Sequence, residues 1–154
     1  MATQFEVEVL TREKSEFRDS VTEVIAPGSE GYLGVWGGHA PLITALTVGR
    51  VYLTLADGSR AVLAVSGGFM EVLPEKTVIL AESAETPEEV DRARAEAALR
   101  RAQERLEEGA FPDVDSDRAR KALARALNRL RLLEESRAGS PASRAVVDSP
   151  GKAV

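Results

Sequence analysis

The sequence predicts an α+β fold, mainly β: a sandwich or barrel of short strands followed by an antiparallel pair of helices. Three observations carry this reading. In the first 84 residues apolar positions recur with a period of two between glycine, proline and aspartate punctuation. Beyond residue 85 the apolar spacing changes to four and three, the period of a helix face. Charge density changes at the same place. Residues 1–84 hold 11 acids and 6 bases, whereas the shorter stretch 85–137 holds 13 acids and 12 bases.

Phe5, Val7 and Val9 alternate with Glu6 and Glu8, which marks a half-buried strand. Val21 to Ala26 is a second strand, closed by Pro27-Gly28. Arg50 to Ala56 and Arg60 to Ser66 are β-branched runs separated by Asp57-Gly58-Ser59, a hairpin signal. Phe69 to Leu73 and Thr77 to Ala81 flank Pro74-Glu75-Lys76 as another hairpin. The glycine-rich stretch from Gly28 to His39 reads as a structural loop. It lacks a following Lys-Ser or Lys-Thr pair, and Ala40-Pro41 stands where a phosphate loop would open a helix.

Thr86-Pro87-Glu88-Glu89 has the chemistry of a helix start: a threonine cap, proline at the first position and glutamate at the third. A helix is predicted from Pro87 to Glu108, ending at Gly109, with Ala95, Leu99, Ala102 and Leu106 as its apolar stripe. A second is predicted from Asp115 or Ser116 to Arg137, with the stripe Ala119, Leu123, Ala126, Leu130 and Leu133. Two helices of about 22 residues, each about 33 Å long, joined by a short loop, form an antiparallel hairpin. The expected organisation is a β domain over 1–85, a helical hairpin over 86–137 and a disordered, Ala/Ser/Gly/Pro-rich tail over 138–154.

Composition narrows the chemistry. The 154 residues include no cysteine and one histidine, which excludes disulfides, thiol catalysis and a thiolate- or histidine-rich metal site. No apolar run reaches the length of a membrane helix, and the N-terminus lacks the pattern of a secretory signal. His39 and Ser66 do not make a hydrolytic pair, because Val65-Ser66-Gly67-Gly68 lacks a nucleophile elbow. The acids Glu88, Glu89, Asp113, Asp115 and Asp117 suit helix starts. No catalytic and no metal-binding residue is expected. The net charge of −5 disfavours nucleic acid. Arg94, Arg101 and Arg105 share one helix face, and Arg125 and Arg129 are one turn apart. Guanidinium forks in that arrangement suit a phosphate or carboxylate ligand.

Taken together, three segments give a resemblance. They are Gly28-Ser29-Glu30-Gly31 through Leu33-Gly34 to Gly38-His39-Ala40-Pro41-Leu42; Val65-Ser66-Gly67-Gly68-Phe69-Met70-Glu71-Val72; and Val90-Asp91-Arg92-Ala93-Arg94-Ala95. In order and spacing the chain resembles the epsilon subunit of the F-type ATP synthase from about residue 4 to 135. The resemblance implies a ten-stranded β-sandwich plus a two-helix C-terminal hairpin, and a non-catalytic part of the rotary central stalk. It implies docking on the gamma subunit and the c-ring, with Glu30, Tyr32 and His39 at that interface, although many bacterial relatives have glutamate where Tyr32 stands. The hairpin would either fold against the sandwich or extend toward the catalytic beta subunit, an acidic segment of which is the expected contact, and inhibit hydrolysis.

The same resemblance implies a regulatory ATP site, with no cofactor required for the subunit's task. Asp91, Arg94 and Ala95 match the motif Ile or Leu, then Asp-x-x-Arg-Ala, and Val90 takes the first position. Glu85, Arg101, Arg125 and Arg129 match further positions of ATP-binding relatives. The implied location is the cytoplasmic face of a bacterial inner membrane, or the thylakoid in a plastid, without direct insertion into lipid. Two other classes fit the same residues: a free-standing ATP sensor, and an adaptor with a β docking domain and a helical arm.

Overall fold

The computed structural model describes residues 2–108 and 113–138. Seven strands form in chain order: β1 (Phe5–Leu10), β2 (Ser15–Gly28), β3 (Gly31–Trp36), β4 (Leu42–Leu55), β5 (Arg60–Val72), β6 (Lys76–Ala81) and β7 (Ala84–Glu85). Neighbours run β1-β6-β5-β4-β2, and β2 pairs back onto β1, so the sheet closes into a flattened barrel. Strand β1 is parallel to β6, while the other pairings are antiparallel. Lys76 reinforces the parallel seam with ion pairs to Glu6 (3.1 Å) and Glu8 (3.5 Å). Closure leaves β3 as an outer strand beside the second half of β2, and β7 as a short addition to β5.

The strand count corrects the expectation of ten, and the reason is physical. Arg50–Ala56 belongs to a longer strand that begins at Leu42, and the two runs Arg60–Ser66 and Phe69–Leu73 fuse into β5. Gly67 and Gly68, at φ +117° and +125°, bend β5 without ending it. A Cβ on Gly68 would stand 2.0 Å from the Leu80 carbonyl oxygen, so only glycine fits where β5 passes from β7 to β6. Strands β2, β4 and β5 are long enough to serve both layers, so each counts once where a sandwich would count it twice. The alternating positions point inward as expected: Phe5, Val7 and Val9 join Val24, Leu53, Leu63, Met70 and Ile79 in one core.

The glycine-rich stretch is also corrected. It holds strand β3, joined to β2 by a two-residue turn at Ser29-Glu30 with Gly28 opposite Gly31. Glycines at 31 and 34 dilute the apolar alternation that would have announced it.

The hairpin comprises α1 (Arg92–Glu107) and α2 (Asp113–Arg137). Helix α1 starts at Arg92, five residues later than the expected Pro87. The Thr86 box does form: Thr86 N–H donates to Glu89 Oε2 at 2.8 Å, and the Glu89 N–H donates to the Thr86 carbonyl at 3.1 Å. It closes a single turn, and Asp91 then caps the helix proper by accepting from the Arg94 N–H at 3.0 Å. The predicted stripes bury Ala95, Ala102, Ala119 and Ala126 between the helices. Helix α2 has a second buried face that the stripe omits, Asn128 and Leu132, and this face lies on β4 and β5. The interhelical loop 109–112 and the tail from 139 lie outside the described residues. No helix among the described residues is long and apolar enough to cross a membrane.

Candidate functional site: a cleft where barrel and hairpin meet

Between β7, the turn 86–89 and the two helices lies a cleft of about 360 Å³. Its wall contains Glu85, Glu89, Asp91, Arg94, Arg101 and Arg129, and its floor is made small by Ala95, Ala97 and Ala98. Six of the seven residues expected to bind ATP meet here. Arg125 is half-buried one turn before Arg129 and does not line the cleft. Val90, at the first position of the matched motif, also lines it, and so does Glu89, which was not anticipated as a member. Glu89 was legible only as a capping residue.

The electrostatics follow from who is already paired. Glu85 accepts from Arg129 through both oxygens, at 2.5 and 3.3 Å, tying β7 to α2. Glu89 takes Lys14 Nζ on one oxygen (3.1 Å) and Thr86 on the other. Burial pushes the Glu89 carboxyl up, but hydrogen bonds from Thr86 and Lys14 outweigh it and hold it below the usual carboxylate range. Asp91 is engaged as the helix cap. The three carboxylates are thus compensated by protein groups. Arg94 and Arg101 have no ion-pair partner among the described residues. Two uncompensated guanidinium groups facing a small-walled cleft fit an anion, and a volume of this order fits a nucleotide-sized ligand.

The expected interface residues are laid out along one strand and not gathered at one point. Glu30 is exposed at the β2–β3 turn and Tyr32 is exposed on β3. His39 lies past the far end of β3, in the turn after Trp36, where its N–H donates to the Trp36 carbonyl at 3.2 Å. Its Nδ1 lies 2.6 Å from the Ala40 carbonyl. Ser66 pairs with the Ser83 hydroxyl at 2.6 Å. Sequence patterning did not mark a large apolar patch on the outer face of β4, β5 and β6. There Ile43 is 72%, Phe69 59% and Leu80 55% exposed, with Phe69 opposite Leu80 in register.

A β barrel with a helical hairpin packed against it, exposed apolar side chains on its outer face and an arginine-lined cleft at the joint defines a two-part barrel-and-hairpin module. The chain belongs to the ATP synthase delta/epsilon family: the family's beta-sandwich domain matches residues 4–87 and its long alpha-helix domain matches residues 88–134. The ATP synthase epsilon chain of Caldicellulosiruptor saccharolyticus is 40% identical over 136 residues, 88% of this chain and 98% of that one. That of Syntrophomonas wolfei is 43% identical over 131 residues, covering 85% and 95%. That of Koribacter versatilis is 50% identical over 107 residues, covering 70% and 75%. Among solved structures, a chain of the Euglena gracilis mitochondrial ATP synthase has the same fold, with TM-score 0.72 at 21% identity over 86% of this chain and 81% of that one.

Proposed function

We propose that this chain is the epsilon subunit of an F-type ATP synthase, a non-catalytic part of the central stalk that couples proton flow to ATP synthesis and restrains ATP hydrolysis. The observation that carries this reading is the match of both domains, in order, over nearly the whole length of relatives named epsilon chain. The free-standing sensor and the adaptor are disfavoured by the same observation.

The geometry supports a division of labour. The barrel docks. Its exposed Ile43, Phe69 and Leu80 suit burial against the gamma subunit, since a contiguous apolar patch marks a protein contact. The strand carrying Glu30 and Tyr32, and His39 beyond it, faces the c-ring. The hairpin regulates. In the folded-back state Arg129 is committed to Glu85, and its arginines are withheld from the catalytic beta subunit, whose acidic segment they would otherwise meet. ATP in the cleft favours this state because the site needs β7, the turn and both helices together. The subunit works at the cytoplasmic face of the membrane that holds the complex.

Calorimetric titration of the full chain with ATP tests the regulatory half. Arg94→Ala and Arg101→Ala should each weaken binding by about 10-fold or more, the worth of a charge-assisted hydrogen bond. Equal binding by the wild type and both variants would remove the nucleotide from this cleft.

A further inference from the structure

A continuous set of hydrogen bonds joins the exposed strand β3 to helix α2, and Arg50 on β4 is its node. The Arg50 main-chain N–H donates to the Tyr32 hydroxyl at 3.0 Å. That N–H is free to do so because the β2–β4 ladder is interrupted between the pairs Ile25–Tyr52 and Gly28–Leu46, and Arg50 lies in the gap. The Arg50 guanidinium reaches Glu135 Oε1 (2.9 Å), the Tyr52 hydroxyl (3.0 Å) and Asn128 Oδ1 (3.0 Å). Tyr52 in turn donates to Glu135 Oε2 at 3.0 Å. The neighbouring residue makes the same connection through the backbone. A Cβ on Gly49 would lie 2.7 Å from the Tyr32 hydroxyl oxygen, and the Gly49 carbonyl accepts from Asn128 Nδ2 at 2.7 Å.

Tyr32 is 52% exposed, whereas every other member of this set is buried or half-buried. Among the described members it is the most exposed to a partner. We propose that Tyr32 is a coupling residue: engagement of its hydroxyl by a protein surface docked on β3 withdraws it from Arg50 and weakens the hold of the barrel on α2. The physical basis is the planar guanidinium, which must satisfy three acceptors on two elements at once and tolerates little displacement of its own backbone. By linkage, release of α2 changes the affinity of the β3 surface for its partner by the same factor. None of these contacts belongs to the ATP cleft, so the experiment below, run without nucleotide, reads this network whether or not ATP can bind there.

Hydrogen exchange of the full chain, read for amides 126–132 of α2 and 61–65 of the barrel, tests the coupling. Tyr32→Phe keeps the ring and removes the hydroxyl. It should raise exchange of the α2 amides by about 3- to 10-fold, the loss of one hydrogen bond, and leave the barrel amides unchanged. In an Arg50→Ala background the added Tyr32→Phe change should have a smaller effect on α2, because the guanidinium branch is already cut and only the Gly49 carbonyl still links this strand to Asn128. Arg50→Met, which keeps the apolar stem, replaces Arg50→Ala if the latter does not fold. Unchanged α2 exchange in Tyr32→Phe, an equal increment in both backgrounds, or α2 opening only together with the barrel would each overturn the proposal.

Discussion

Asn128 is a polar side chain only 6% exposed, and its amide is fully used. Its nitrogen donates to the Gly49 and Val65 carbonyls at 2.7 and 3.3 Å, and its oxygen accepts from Arg50. Replacing it leaves three buried groups short of a partner, a cost of about 2–3 kcal/mol by the usual penalty for unmade hydrogen bonds. Asn128→Ala should therefore expose α2 to trypsin after Arg129 and Arg131 while the barrel stays resistant. An α2 as resistant as the wild type's would contradict this. Nothing in the sequence marked Asn128, because a lone asparagine in a helix reads as solvent-facing until the barrel is placed against it. Arg94 and Arg101 were legible from helix-face spacing and Asp91 from the matched motif, whereas the capping role of Asp91 was not, because the expected helix already began at Pro87. Glu89 was half legible. Its capping role is local, but its place in the cleft wall depends on Lys14, distant in sequence.

Elements show the same boundary between local and non-local causes. The seam between the helices was readable because its period is intrinsic to a helix, whereas the second buried face of α2 exists only through contact with β4 and β5. The helix start was placed at Thr86 because its capping chemistry is local, whereas Asp91, five residues on, is the cap that α1 uses. Long strands were read as short ones because glycines that bend a strand look like glycines that end it. The docked face of α2 also carries a titration. Burial pushes the Tyr52 phenol above its ordinary value of 10.0; the Arg50 hydrogen bond opposes this, and that with Glu135 adds to it. A group raised in the docked state contributes stability that is complete below the ordinary value and is lost as pH rises through the raised one. The contribution of Tyr52 to the hold on α2 should therefore be lost above pH 10. Ultraviolet titration of the chain's two tyrosines should show one ionising late, and Tyr52→Phe should remove that late step. Two phenols titrating together would count against the buried, bonded Tyr52.

At the scale of the molecule, an acidic barrel carries a nearly neutral arm of 13 acids and 12 bases. Of the arginines at the joint, one is held by Glu85 and two face the cleft. The barrel encloses the main apolar core, whereas the arm is held by an alanine-rich seam and a handful of polar bonds. A chain with no cysteine and one histidine performs no bond chemistry in this scheme, and its work is mechanical. The decisive measurement is proton-driven ATP synthesis by an ATP synthase stripped of its own epsilon subunit, before and after addition of this full chain. Synthesis should return, with the chain retained on the gamma subunit. Synthesis that stays at the depleted level, with the chain washing away from gamma, would contradict the central claim.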